Sequence, residues 1–201
     1  MNYQKLKEGC VVLEVVEQNE FKKSISAGMS ISLGTFAYLI VLQKTNNMFV
    51  SAIMFYMGLC IILSHQLSLF TGQILSLKVK DYTKQYYTNS NISNKEYILT
   101  LTKTWIGNLI GSVITTVLLF QILHPNVRQL VINKISLSPL QMIIGGFFCN
   151  VCVCLAVDNY KTNKNYLVSG FFIICFIMCG FNHIVADFSH YTLAMCQGNN
   201  C

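Results

Sequence analysis

Charged side chains are absent from five long apolar runs of this 201-residue chain. The runs lie between residues 23 and 44, 44 and 78, 103 and 128, 134 and 158, and 164 and 187. Each is long enough for a helix to cross the hydrocarbon core of a bilayer, which takes about 20 residues. The apolar residues are continuous rather than alternating, so the runs indicate helices and not the strands of a barrel. We therefore expect an all-α polytopic membrane protein with about five transmembrane helices.

Two of the predicted spans are interrupted. The pattern predicts spans over 25–42, 49–70, 98–123, 138–157 and 166–195. The second continues uncharged to Leu77 and the fifth contains Gly180 and Asp187, so neither reads as one straight helix. Overlong, interrupted segments at matching positions of two halves are typical of the broken helices of inverted-repeat transporters. We predict breaks at Thr71 and His183, and we expect the chain to lack the sixth span of a three-plus-three repeat.

The distribution of charge sets the expected orientation. Only 11% of the residues are charged, against about 25% in soluble domains. The net charge of +6 does not indicate nucleic-acid binding, because eleven of the fourteen Lys and Arg residues fall in 1–23, 78–103 and 158–164. This bias follows the positive-inside rule and predicts a cytoplasmic N-terminus. We expect a cytoplasmic leader over 1–23, a transmembrane channel domain over 24–196 and a short external tail over 197–201.

Short motifs in these spans resemble those of the formate/nitrite transporter family. The run from Gly146 to Val157 is similar to the family's fourth-span signature, G-x-x-C-N-x-x-V-C-L-A-V-W. The resemblance is collinear over residues 20–195 and includes four further motifs: Ala27-Gly28 in span one, Leu69 to Gly72 for E-L-F-T-G, Trp105 to Gly111 for G-N-x-x-G, and Gly180 to Asp187 for G-F-E-H-S-x-A-N. It implies an aquaporin-like inverted-repeat helical bundle with broken second and fifth spans.

The chain departs from the family pattern at five positions. The two glutamates that precede L-F-T and the central histidine are Ser68 and Asn182 here. The asparagines that follow T-G and the V-A pair are Gln73 and Asp187, and the tryptophan after L-A-V is Asp158.

The resemblance implies a channel for small monovalent anions such as formate, nitrite or hydrosulfide, and not an enzyme. Histidine titrates nearest physiological pH, and a buried ion must be compensated or neutralised. His183 is therefore implied at the pore centre near Thr71, where it would share a proton with the anion. The resemblance also implies Lys134 in an outer vestibule, Asn150 as an amide donor, Phe70 and Phe181 as apolar gates, and Asn182 on the same pathway.

The implied setting is a homopentamer with one pore per protomer in the lipid bilayer. No cofactor, metal or nucleic acid is implied. The abundance of Lys, Asn, Ile and Tyr indicates an AT-rich bacterial genome, and hence the cell (inner) membrane. The choice of anion, and that between channel and proton-coupled transport, stay open at this point, as does a disulfide between Cys196 and Cys201.

Three other hypotheses are compatible with parts of the sequence. His183, Asp187 and His190 are spaced i, i+4 and i+7, which would suit a zinc enzyme. A truncated or partner-dependent membrane subunit of the same fold would fit the substituted glutamates. A neutral-solute pore of the aquaporin type would require Asn-Pro-Ala boxes, and the sequence has none.

Overall fold

The computed structural model describes residues 3–77 and 93–198, and every regular element in these two ranges is an α-helix. The helices are α1 (Tyr3–Thr45), α2 (Met48–Ser64), α3 (Phe70–Ser76), α4 (Asn94–Phe120), α5 (Arg128–Ile135), α6 (Pro139–Asn163), α7 (Tyr166–Met178) and α8 (Ile184–Gly198). Three helical stretches are long and apolar enough to cross a membrane: Asn19–Thr45 in α1, α4 and α6. The shorter apolar helices are α2 and α7. The predicted all-α, multi-span class is confirmed.

The second and fifth spans are both broken, as predicted; the break of the fifth span includes the predicted His183, whereas that of the second span ends two residues before the predicted Thr71, which lies in the first turn of α3. Residues 65–69 separate α2 from α3, and residues 179–183 separate α7 from α8. We call these segments the first break and the second break. The short helix α5 was not predicted, because it lies in a polar connection without a long apolar run. Cys201 lies outside the described residues, so the possible disulfide with Cys196 stays a prediction.

The helix starts follow local sequence signals. Ser93 caps α4 and Ser138 caps α6, each in a capping box. The serine hydroxyl accepts from the N–H of Glu96 or Gln141, and the side chain of that residue accepts from the N–H of the serine. Pro139 occupies the first turn of α6, where its missing N–H costs nothing. The helix α1 is continuous from Tyr3 to Thr45, so the leader that we predict over 1–23 runs into the first span without a helix end between them.

The packing of the helices repeats between the two halves. In the first half α1 packs against α2, and in the second half α6 packs against α7. Each half also receives the short helix of the other: α8 packs on α1, and α3 packs on α6. The helices α2 and α7 pack against each other between the halves. This exchange of short helices brings the two breaks together in the middle of the bundle.

The same hydrogen-bonded cap ends both α2 and α7. Gln66 and Gly180 adopt left-handed φ angles of 51° and 71°. The N–H of the next residue then reaches back five positions, from Leu67 to the carbonyl of Ile62 and from Phe181 to that of Phe176. This is the Schellman motif, which ends a helix while satisfying its last carbonyls. Identical caps at equivalent positions support the inverted repeat at the level of single hydrogen bonds.

Helices α1 and α4 cross at backbone contact distance. A Cβ atom at Gly28 would overlap the carbonyl group of Asn108, and one at Gly111 would overlap the carbonyl oxygen of Ile25. Small residues allow membrane helices to approach this closely. The close crossing fixes Asn108 beside the first break, where its side chain is used.

Candidate functional site

His183 and Thr71 meet in the centre of the bundle. The His183 Nε2 atom lies 3.1 Å from the Thr71 hydroxyl oxygen. Both side chains are buried, with His183 3% exposed and Thr71 5% exposed. His183 is the last residue of the second break and Thr71 belongs to the first turn of α3. One hydrogen bond therefore joins the two broken spans, as the sequence predicted for these two residues.

The backbone around His183 selects one tautomer of the imidazole ring. The N–H of Ala186 donates to the Nδ1 atom of His183 over 3.2 Å. Because Nδ1 accepts this bond, the proton of the neutral ring resides on Nε2 and points to Thr71. The arrangement presents one N–H donor at the junction of the two spans.

Two phenylalanines that sequence reasoning missed enclose this imidazole. The ring of Phe176 stacks on His183 with centroids 5.8 Å apart, and the ring of Phe55 meets it edge-on at 6.4 Å. Both residues lie inside apolar helices, α7 and α2, so nothing in their local sequence separates them from core residues. They make the surroundings of the proton donor apolar.

A cavity of about 640 Å³ extends from His183 to the end of α1. We call it the Lys134 cavity. Its lining includes four residues predicted for the pathway and two further ionisable residues at the start of α8: Lys134, Phe181, Asn182 and His183, with Asp187 and His190. Polar residues of the α4–α5 connection and α5, such as Asn126 and Gln129, line it as well.

The Lys134 ammonium group is not free in this cavity. Its Nζ atom lies 2.7 Å from a carboxylate oxygen of Asp187 and donates to the Asn182 side-chain oxygen over 3.2 Å. The same Asp187 oxygen lies 3.3 Å from Nδ1 of His190. The Lys134 and Asp187 side chains are only 16% and 14% exposed. Asn182 and Asp187, where the fifth-span motif of the family has Glu and Asn, thus both contact Lys134.

The remaining predicted residues lie apart from this cluster. The Asn150 amide lies 3.7 Å from the Cys154 sulfur, which lies 3.6 Å from the Thr71 carbonyl oxygen, so Cys154 lies between Asn150 and the junction. The Asn150 side-chain oxygen is buried and has no hydrogen-bond partner within the described ranges. Phe181 stacks on Phe148 with centroids 5.8 Å apart. Phe70 is half-buried at the start of α3, one residue before Thr71.

The first break is held by a neutral amide. The Asn108 side-chain oxygen accepts from the N–H of Phe70 over 2.9 Å. The Asn108 amide donates to the carbonyls of Ser24 at 2.7 Å and Ser68 at 3.0 Å. Asn108 is fully buried, and Ser68 donates to the half-exposed carboxylate of Glu20 at 2.7 Å. Where the family has a glutamate at position 68, a carboxylate is present but comes from α1.

The zinc hypothesis does not fit the contacts at α8. His183 uses Nε2 on Thr71 and Nδ1 on Ala186, whereas Asp187 pairs with Lys134. Over the described parts of the chain, no group of three or more His, Cys, Asp or Glu side chains has the placement for a metal ion.

Three transporters are similar to this chain in sequence. An uncharacterized transporter of Saccharomyces cerevisiae is 26% identical over 88% of this chain and 31% of its own length. The nitrite transporter NirC of Salmonella typhimurium is 26% identical over 85% of this chain and 66% of its own length. Formate-nitrite transporter 2 of Toxoplasma gondii is 29% identical over 77% of this chain and 34% of its own length. The chain thus spans between about a third and two thirds of these relatives.

Two solved structures share the fold. A pentameric formate channel with formate bound superposes with a TM-score of 0.76 at 25% identity, covering 90% of this chain and 76% of that chain. An FNT family ion channel superposes with a TM-score of 0.74 at 22% identity, covering 88% of this chain and 74% of that chain. The first match supports the predicted channel fold directly.

The family model described as formate/nitrite transporter matches residues 14–201, which is nearly the whole chain. The matched range includes both breaks and the residues that line the Lys134 cavity. Members of the family act as channels and transporters, in agreement with the apolar spans of a multi-pass membrane protein. The chain belongs to the formate/nitrite transporter family.

Proposed function

We propose that this chain conducts small monovalent weak-acid anions, such as formate, nitrite or hydrosulfide, and that His183 shares a proton with the anion. The observation that carries the proposal is the His183–Thr71 hydrogen bond between the two broken spans, at the inner limit of the Lys134 cavity. A bare anion pays a prohibitive desolvation cost in such apolar surroundings. A hydrogen bond that shares the Nε2 proton of His183 with the anion lowers this cost by compensating part of its charge.

The wider assignment follows the same relatives. The similar formate channel is pentameric and holds formate, and the similar bacterial protein is a nitrite transporter, so we propose these anions and a homopentamer for this chain. Large apolar side chains on α4 and α6 face outward, Ile114, Leu118, Ile143 and Phe147 among them, which suits contact with lipid and neighbouring protomers. We place the protein in the cell (inner) membrane with residues 1–23 in the cytoplasm. The Lys134 cavity then opens to the outside.

The pathway residues take separate roles in this proposal. Lys134 and Asn182 meet the anion in the cavity, and Phe181 narrows its inner end beside His183. Phe70, at the start of α3, is a second apolar gate. The Asn150 amide offers a hydrogen-bond donor near the Thr71 carbonyl, with Cys154 between them. Thr71 accepts the Nε2–H of His183 and so fixes the orientation of the imidazole ring at the junction.

The test is uptake of formate, nitrite and hydrosulfide into liposomes that contain the purified protein. We expect His183→Ala to lower the uptake rate by about 100-fold or more, which is the usual scale for losing a proton donor. His124→Ala is the matched control, because His124 is exposed and its ring meets that of Phe120 edge-on, away from the cavity lining. It should leave uptake unchanged.

A second pair of variants isolates the role of the hydroxyl group. Thr71→Val removes the acceptor for His183 with little change in volume and should lower uptake about tenfold, whereas Thr71→Ser should restore it. Thr116→Val is the control, since the buried Thr116 hydroxyl has no hydrogen-bond partner within the described ranges. If liposomes with the wild-type protein take up these anions no faster than empty liposomes, the chain does not transport on its own. The hypothesis of a truncated or partner-dependent subunit then remains.

A further inference from the structure

His190 is an ionisable residue that the family motifs do not include. Its side chain lines the Lys134 cavity and is 6% exposed. The Nδ1 atom faces the Asp187 carboxylate at 3.3 Å, so the proton of the neutral ring lies on Nδ1. The Nε2 atom is then a bare acceptor, and it is buried with no hydrogen-bond partner in residues 3–77 and 93–198. A buried, unsatisfied acceptor is uncommon and requires an explanation.

The charges around His190 balance while its ring is neutral. Lys134 contributes one positive charge and Asp187 one negative charge, and their contact distance is 2.7 Å. The other ionisable groups near this pair are few: Tyr38 on α1 and His183 line the same cavity, and Tyr191 and Cys149 interact electrostatically with Asp187. The part of α4 from residue 104 to residue 120 has no ionisable side chain, and neither has α3. Uptake of one proton by His190 therefore gives the cluster a net charge of +1.

We propose that Lys134, Asp187 and His190 form a loading site in which one proton and one monovalent anion bind together, before the anion reaches His183. The inference rests on the proposed transport function. A proton from the outer solution bonds to the free Nε2 lone pair of His190. The resulting N–H donates to the anion, while Asp187 holds the other side of the ring. On the way inward the Nε2–H bond breaks, the proton passes to the anion as the weak acid forms, and the imidazole returns to its neutral form.

The coupling between the two ligands follows from charge alone. The imidazolium is poorly compensated in the enclosed cavity until an anion lies beside it, and the anion binds weakly until the cluster is positive. By linkage, each ligand raises the affinity for the other by the same factor. Lys134 by itself would not provide this, because its charge is already matched by Asp187. The site would thus couple anion uptake to proton uptake rather than pass bare anions.

His190→Asn tests the loading site because it removes only the titration. The asparagine amide can still donate to Asp187 from the place of Nδ1, but it cannot take up a proton. For the wild type we expect the KM for formate to fall about tenfold as the outer pH is lowered from about 8 to about 6. In His190→Asn the KM should change less than about twofold over the same range.

His124→Asn carries the same substitution outside the cavity and should keep the wild-type pH profile. A purely structural role of His190 would change stability or the maximal rate without removing the pH dependence of KM. If His190→Asn does not fold, His190→Gln is measured in the same way. Wild-type pH dependence of KM in a folded variant would overturn the inference.

A measurement on the wild type needs no variant. Nitrogen NMR of the histidine rings in detergent, at a fixed pH of about 7, should show one ring gaining imidazolium character when formate is added. Ring signals that do not respond to formate would contradict the loading site. The two failures are distinguishable: without wild-type flux the transport function fails, whereas flux with an unaltered profile in His190→Asn rejects only the loading site.

Discussion

The first and second breaks share a backbone and differ in the chemistry of their side chains. Both begin with the same cap, at Gln66 and Gly180, and both lead into a short helix that starts four residues further on. In the equivalent positions the first break has Leu69 where the second has His183. One turn later Gln73 accepts a hydrogen bond from Thr104, whereas Asp187 binds Lys134 and His190. The inverted repeat therefore provides the same backbone twice, and the second break adds a buried histidine and a nearly buried ion pair.

The difference shows how each break is stabilised. The first break depends on the buried, neutral Asn108, and its nearest carboxylate, that of Glu20, is about half exposed. The second break depends on a nearly buried ion pair next to the central histidine. Polar groups in a bilayer require internal partners, and ionisable ones mark pathways for ions and protons. The second break is thus stabilised by charged groups, and the first break is stabilised by the hydrogen bonds of a neutral amide.

The largest effect is expected from Asn108→Ala. The substitution leaves the N–H of Phe70 and the carbonyls of Ser24 and Ser68 without their buried partner, and it should lower the free energy of unfolding by about 3 kcal/mol. Thermal unfolding in detergent measures this. Asn163→Ala is the control, because Asn163 is exposed and its amide donates to the Asn159 side-chain oxygen of the same helix. Equal unfolding temperatures for the two variants would show that the first break does not depend on its amide.

A smaller effect is expected from removing the Asp187 carboxylate, and from placing a carboxylate at position 182 instead. Asp187→Asn leaves Lys134 uncompensated, and a unit charge at this range is worth about 1 kcal/mol or more, so the KM for formate should fall several-fold. Adding Asn182→Glu returns a carboxylate to a side chain that already contacts Lys134, and the KM should come back to within about twofold of wild type. Uptake kinetics at about pH 8, where imidazole is neutral, measure both variants.

If Asp187→Asn leaves the KM unchanged, the ion pair does not control access of the anion. If Asp187→Asn changes the KM and the double variant with Asn182→Glu does not, the negative charge beside Lys134 controls the KM, whichever of the two positions carries it. The second outcome would also explain why the Glu-to-Asn and Asn-to-Asp departures from the family occur together.

The smallest effect is expected from Glu20→Gln at the first break. The Glu20 and Lys23 side chains are 48% and 42% exposed, and exposed ion pairs contribute about 0.5 kcal/mol or less. The amide oxygen of the substituted side chain could still accept from Ser68, so uptake should stay within about twofold of wild type. Uptake in the same liposomes measures it. A loss of uptake rate as large as that in His183→Ala would show that the Glu20 carboxylate takes part in transport as well.

The sequence alone determined the class of protein and the two broken spans, and it predicted Thr71 and His183 close to the breaks. Uncharged runs of about 20 residues have one stable structure in a bilayer, and interrupted runs at matching positions indicate irregular backbone between the halves. For this reason the spans, Thr71 and His183 were predicted before any contact was known. Lys134 and Asn182 were predicted from the family motifs, and the structure brings them together.

Only the tertiary structure decided the electrostatics of the site. In the sequence Lys134 and Asp187 are separated by the whole of α6 and α7, so nothing in either motif shows that the lysine is already paired. Phe55 and Phe176 are indistinguishable from core residues until they meet the imidazole ring, and His190 lies outside the family motifs. Periodicity and motifs report what each segment buries. Which charges cancel depends on distances between segments, and those exist only once the helices have packed.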